Sequence, residues 1–287
     1  MKRARSSALW GIVSKRASLL MGLLSAWVLY RFLDWAVFQA VFRPDALACQ
    51  AVGHAGACWG VVVEKARPIL LGLDPTDHLG GLPLTLLLAV GAWIVSWPLA
   101  LALAHGRRSH RVWLAGLCRT WIECVRGVPL IALLFLAAYL LPAVLPTEWQ
   151  MPLAWRAGMA LSLFSAAYLA EIIRSGLQSV PAEQIEAAEV LGLGFWGTQW
   201  RVVWPQALRA VLPALVSHAI GLLKDTSLVM VIGLHELTGG LSLGLGGDPV
   251  WRPFYLEAYL FVAAVYASLC LGLAWLGRRL EARWQRG

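Results

Sequence analysis

Gly240-Leu241-Ser242-Leu243-Gly244 satisfies the G-x-S-x-G pattern of a serine nucleophile, and His235 is close in sequence as a would-be base. The chemistry would be acyl transfer, which needs a strand, a sharp turn and a helix to present the hydroxyl. Here the pentapeptide follows a long apolar run in a glycine-rich stretch, so the sequence argues against a hydrolase. Cys49 and Cys58 could close a disulfide on an oxidising outer face or remain two thiols, and the bridge is the favoured reading. His54 lies between them, but two further ligands at workable spacing are missing, so no metal site is expected. No G-x-x-x-x-G-K-[S/T] occurs, so the chain holds no nucleotide-phosphate loop of its own.

The other chemistry-bearing residues are charges inside apolar runs. Lys224 and Asp225 are followed by Thr226 within such a run. Adjacent residues on a helix point in different directions, so the pair does not simply neutralise itself. Both then need other partners, or the helix breaks at Gly221. Two readings stand side by side. One is a polar lining to a translocation path, with Lys224, Asp225, Thr226 and Glu171 meeting a zwitterion's carboxylate and ammonium. The other is a structural network, for example Lys224 with Glu171. Glu171 and Arg174, three apart, read as a helix-face ion pair. Glu123 and Arg126, also three apart at the inner edge of the third span, read as structural anchoring in preference to substrate contact. Arg31 and Asp34 are also spaced to pair.

The elements that must position these groups are set by composition. With 59% hydrophobic and 14% charged residues and a mean hydropathy of +0.67, the chain is too apolar for a soluble core to absorb. It reads as an all-α integral membrane protein, a six-span helical bundle. The spans fall at Leu19–Phe42, Leu82–His105, a third ending near Pro146, Ala157–Gly176, Leu208–Leu234 and Phe254–Leu276. At ~1.5 Å per residue each suits a ~30 Å hydrocarbon core. Arg107 to Arg119 reads as a basic loop, and Glu123–Pro129 leads into the third span. Residues 1–81 form a basic tail, a first span and an outer loop, and residues 82–283 the main transmembrane domain. A cleaved signal peptide is disfavoured because no small-x-small site follows Tyr30.

Charge orients the bundle. With the N-terminus inside, only Arg43, Lys65, Arg67, Arg156 and Arg252 fall on outer segments, and Arg31 and Lys224 within spans. Every other Lys and Arg is on an inner segment, as the positive-inside rule requires, with both termini cytoplasmic. The net charge of +8 is thereby a membrane signature, and no nucleic-acid partner is expected.

Between the fourth and fifth spans lies Ser179–Pro205, SVPAEQIEAAEVLGLGFWGTQWRVVWP, too polar to cross a bilayer. Pro181 suits a helix start, Glu183 and Glu186 its positive end, and Gly192-Leu193-Gly194 its stop. Trp196–Val203 reads as a second short helix ended by Pro205. Glu186, Ala187, Ala188, Gly192 and Pro205, with Val202 and Trp204, resemble the EAA loop of ABC importer permeases. ECVRGVPLIALLF (Glu123–Phe135) is similar to ELIRGTPLLVQLF of polar amino-acid permeases. Ala166–Gly192 and KDTSLVMVIGLHEL (Lys224–Leu237) extend that likeness, which covers about Leu82 to Arg283. Ala57–Gly72, with Cys49 before it, looks like the M-type subunit of general L-amino-acid transporters. Trp204 where the family has Leu, and Glu183 where it has Gly, are departures.

The resemblance implies a type I ABC importer permease core of five spans, preceded here by an extra one, in a bacterial inner membrane. It implies a cytoplasmic coupling helix, Pro181–Leu191, docking on a dimer of ATPase subunits that binds the ATP and Mg; this chain itself binds no cofactor. It further implies a second permease subunit, a periplasmic amino-acid-binding protein, and transport of a broad range of L-amino acids. A gradient-driven carrier is the alternative.

Overall fold

The computed structural model describes residues 2–53, 55–72 and 80–284. Long apolar helices dominate it. α1 (Lys2–Leu33) continues through one π-helical turn, Asp34–Phe38. α2 (Ala46–Val52) and α3 (Gly60–Leu71) follow in the stretch read as an outer loop. Next come α4 (Gly81–Arg107), α5 (Val112–Gly127), α6 (Leu130–Val144) and α7 (Leu153–Gln178). α8 (Ala182–Val190), α9 (Phe195–Ile232), α10 (Leu237–Gly246) and α11 (Tyr255–Trp284) complete the chain. Five segments are long and apolar enough to cross a membrane, and the bent pair α5 and α6 makes a sixth if counted as one span.

Two compact units emerge. Residues up to Ala66 join Gly247–Ala258 in the smaller; Arg67–Gly246 and the chain from Tyr259 form the larger. In the smaller unit Cys49 and Cys58 are joined by a disulfide, both side chains buried, with Cα atoms 5.4 Å apart. Asp45 caps α2 by accepting from the Leu47 and Ala48 N–H groups at 3.0 and 3.1 Å. Trp59 donates to the Ala36 carbonyl at 2.7 Å, and the Cys58 N–H donates to buried Glu257 at 3.0 Å. Asp34 accepts from Gln39 at 2.8 Å, which replaces the expected Arg31 pairing. Lys65 pairs with Asp248 at 2.7 Å, and that hydrogen bond holds the Asp248 carboxyl below the usual carboxylate range. His54 lies outside the described residues.

In the larger unit α4, α7 and α9 pack together around two apolar clusters. One gathers Ala100, Leu103, Ala104, Ile122, Leu169, Ile173, Leu177, Val203 and Ala207, at the end where α7 runs into Ser179. The other gathers Leu84, Leu88, Leu130, Leu134, Leu161, Leu222 and Ile232, at the opposite end. Small residues let the helices close. A Cβ on Gly176 would meet the Ala207 carbonyl oxygen and Val211 Cγ1 at 2.8 Å each.

Prolines explain most departures from the expected elements. Val128 and Pro129 are both extended, and α5 meets α6 at 96° there. Proline cannot donate and pushes its predecessor out of the helical region. Pro142 and Pro205, by contrast, are absorbed. In each case the residue just before, Leu141 or Trp204, donates five residues back, to Leu136 or Gln199. Each π turn thereby shifts the hydrogen-bond ladder ahead of the proline. Pro205 thus sits in the first turn of the α-helix Trp204–Asp225 and does not end a helix; α9 is continuous from Phe195. The basic stretch Arg107–Arg119 is also not a loop: most of it is the start of α5, a helix whose charges, Arg119, Glu123 and Arg126, fall on one side and whose buried residues, Cys118 and Ile122, fall on another.

Candidate coupling and translocation site

α8 places the sequence-marked residues on a short, mostly solvent-facing helix. Pro181 is its N-cap residue in extended conformation, and Glu183 occupies the first turn, where a carboxylate favours the helix dipole. Glu183, Glu186, Ala187 and Glu189 are exposed, whereas Ala188 is 3% exposed and Ile185 packs against the adjoining apolar cluster. The helix is therefore held to the bundle by one narrow face. Its end is a Schellman closure: Gly192 N–H donates to the Glu189 carbonyl at 2.9 Å and Leu193 N–H to the Ala188 carbonyl at 3.0 Å. Gly192 has φ +80°, the left-handed region where a side chain is strained, and an added Cβ there would meet nothing within 4 Å. Beside this turn Val190, Leu191, Phe195, Trp196 and Trp200 are all more than half exposed, Val190 at 89%. A patch of carboxylates and bare aromatic rings on one loop is a surface suited to another protein.

The four residues expected along a polar path are not gathered into one network. Lys224 is exposed and Asp225 half-buried, at the last turn of the α-helical part of α9, and neither forms an ion pair among the described residues. The helix does not break at Gly221; it tightens to a 3₁₀ turn at Thr226–Ile232. Thr226 is buried, its hydroxyl donating to the Leu223 carbonyl at 2.7 Å. Glu171 does not meet Lys224. It pairs with Arg107 of α4 and, at 2.9 Å, with Arg174 on its own helix. Glu123 pairs with Arg119 at 2.8 Å and approaches Arg107 at 3.9 Å, and Arg126 instead lies over the Tyr168 ring at 4.9 Å. Five charged groups from α4, α5 and α7 thus interlock at the end of the bundle that carries α8.

Two polar clusters escaped the sequence reading. Midway between the apolar clusters, Ser165 donates to Ser96 at 3.1 Å, and Ser96 to the Trp93 carbonyl at 2.7 Å. His218 Nε2 lies 2.9 Å from the Ser165 hydroxyl, so the three side chains form one hydrogen-bonded chain. A lone histidine and two serines in three separate apolar runs were the available signal. At the opposite end Glu236 is fully buried. One of its oxygens accepts from Thr238 N–H and Gly239 N–H at 2.9 and 3.0 Å, capping α10. The other accepts from Tyr266 at 2.7 Å and Thr85 at 3.2 Å.

The G-x-S-x-G pentapeptide lies wholly inside helix α10, where Ser242 donates to the Thr238 carbonyl at 3.5 Å. With no strand leading into it, Ser242 is not on a nucleophile elbow. Among the described residues no group of three His, Cys, Asp or Glu side chains is arranged to hold a metal ion.

Comparisons with known proteins agree with this geometry. Residues 96–286 match the family model described as the binding-protein-dependent transport system inner membrane component. The chain is 40% identical over 233 residues to the glutamate/glutamine/aspartate/asparagine transport system permease protein BztC of Rhodobacter capsulatus. That covers 81% of this chain and 54% of the relative. It is 41% identical over 212 residues to the inner membrane amino-acid ABC transporter permease protein YhdY of Escherichia coli, covering 74% of this chain and 58% of the relative. The chain thus spans little more than half the length of these two relatives. The probable glutamine ABC transporter permease protein GlnP of Bacillus subtilis is 34% identical and matched over 98% of its length and 74% of this chain. Among solved structures, an amino acid ABC transporter crystallised with histidines superposes with a TM-score of 0.66 at 30% identity. The match covers 78% of this chain and 97% of that one. A bacterial alginate ABC transporter at 15% identity and TM-score 0.59 shares the fold alone, over 94% and 98% of the two chains.

Proposed function

The chain belongs to the family of binding-protein-dependent transport system inner membrane components, and from that premise we propose that it is a transmembrane permease subunit of an ATP-driven importer for amino acids. The observation that carries the reading is the α8 loop. A nine-residue helix is anchored by Ile185 and Ala188 and otherwise presents carboxylates, Ala187 and exposed apolar side chains outward. A dimer of ATPase subunits docked there, holding ATP and Mg, would close on nucleotide binding and push α8. The push would pass through Ile185 to α7 and α9 and bias the bundle between inward- and outward-open states, as differential binding of two conformations allows. This chain supplies no bond-breaking chemistry in that cycle.

In this reading the α8 end faces the cytoplasm, as do both termini, and the bundle sits in a bacterial inner membrane. A second permease subunit completes the path, and a periplasmic binding protein delivers the cargo. Polar L-amino acids over a broad range are the proposed cargo, supported by the transported compounds named for the relatives. The gradient-driven carrier has no counterpart among the relatives described above.

The test is ATP-driven amino-acid uptake into vesicles by the assembled complex, comparing wild type with Glu186→Lys and Gly192→Arg. Both variants should insert and fold, yet lose ATPase docking and uptake. Uptake that survives both changes would overturn the proposal.

A further inference from the structure

We infer that α5 lies in the headgroup layer of the bilayer and forms, with the turn before it, a binding site for anionic phospholipid. The inference does not depend on the cargo or on the ATPase. α5 has three distinct sides. Cys118 and Ile122 are buried, and Leu114 and Trp121 pack beside them on the apolar cluster of α4, α7 and α9. A second side carries Trp113, Leu117, Thr120 and Cys124, spaced at i, i+4, i+7 and i+11 and all exposed; Trp113 is 65% and Leu117 63% exposed. The third carries Arg119, Glu123 and Arg126.

A helix running along a membrane span would present lipid with apolar side chains all round its free surface. A helix in water would not leave tryptophan and leucine bare beside arginines. One apolar stripe flanked by a basic one fits the boundary between acyl chains and headgroups, where tryptophan also concentrates. The backbone agrees, because α5 meets α6 at 96°, so the two cannot both run along the membrane normal. The 15 residues of Leu130–Val144 rise ~22 Å, short of a ~30 Å core, so α6 takes the crossing direction and the non-helical residues Val128, Pro129 and Leu145 at its ends supply the remaining length.

Charge complementarity selects the lipid. Exposed Arg108 and Arg111 precede the helix, and Arg119 follows about two turns into it, shared with the Glu123 carboxylate. Near a membrane surface each such cation favours anionic over zwitterionic headgroups, and the preference weakens with salt.

The complex would be reconstituted into nanodiscs of phosphatidylcholine containing one fifth phosphatidylglycerol, and co-purifying lipid measured after detergent extraction. Phosphatidylglycerol should be enriched by the wild type. The enrichment should fall about five-fold for each arginine removed at low salt in Arg108→Gln, Arg111→Gln and Arg119→Gln combined. The Arg→Lys version of the same triple change should restore it, which separates charge from folding. A nitroxide on Cys124, with Cys118→Ala and Cys270→Ala, should collide with oxygen more than with a water-soluble nickel chelate. Equal enrichment in the Gln variant, or a label reached mainly by nickel, would overturn the inference. So would protection of the label that appears only when ATPase subunits bind, since the face would then belong to them.

Discussion

The two ends of the large unit solve the problem of a polar group in an apolar bundle differently. At the end away from α8, Glu236 is fully buried and takes four hydrogen bonds from α4, α10 and α11. At the α8 end, Arg107, Glu171, Glu123 and Arg174 are only partly covered and share partners across three helices. A saturated, dry site has one arrangement of low energy. A partly hydrated set of long side chains can exchange partners at modest cost. The first therefore locks helices together, and the second lets them shift while keeping their charges compensated, as an end worked by a partner requires.

The largest effect that could break this comparison is at Glu236. Glu236→Leu leaves the Tyr266 hydroxyl and the Thr238 and Gly239 N–H groups without this acceptor, at ~1–3 kcal/mol for each buried orphan, while Thr85 keeps the Gly81 carbonyl at 3.1 Å. Thermal unfolding in detergent should drop by many degrees, or folded protein should vanish; a drop as small as that of Arg107→Ala would erase the contrast between the ends. Next is Gly176→Leu, which drives a side chain against the Ala207 carbonyl and Val211 and should cost about 1–3 kcal/mol in the same assay. An unchanged melting temperature would mean that α7 and α9 separate more readily than their contact implies.

A double-mutant cycle on Arg107→Ala and Glu171→Ala should return a coupling of about 1 kcal/mol, with Arg174 keeping Glu171 partly compensated. A coupling above ~3 kcal/mol would make this pair as locked as Glu236. The smallest effect belongs to the disulfide-bridged unit. Because Lys65 holds the folded Asp248 carboxyl below its usual value, its contribution is present above the unfolded carboxylate range and lost as pH falls through the folded one. Protease resistance of the unit should therefore fall slightly more between pH 7 and pH 3 in wild type than in Asp248→Asn. Identical pH profiles would show the pair to be inconsequential.

The spans and the α8 loop were legible because long apolar runs, proline and glycine act locally. Gly192 needs only its own φ to end a helix. α5 was misread as a loop because its arginines, taken along the chain, look solvated; only the helical period sorts them onto one side. The Ser242 segment looked loop-like for its glycines, yet close packing in the bundle overrides glycine's poor helix propensity. Charge partners were the least legible. Spacing of three suggested Glu123 with Arg126 and allowed Glu171 with Arg174. Only the second formed, and Arg107 reached Glu171 from another helix, which no local spacing encodes. Glu236 went unnoticed for the same reason, its hydroxyl donors lying at Thr85 and Tyr266.

The π turn at Gln199–Val203 amounts to one residue more than the α-helical ladder needs. Deleting Arg201 would let an ordinary ladder close. The start of α9 ahead of the turn, and the α8 loop leading into it, would then rotate ~100° about the helix axis and draw in ~1.5 Å. Trp196 and the α8 helix would swing around the bundle while the spans stayed in place. The loop's compass bearing is thus written in a single surplus residue, and one codon's deletion would aim it at empty solvent.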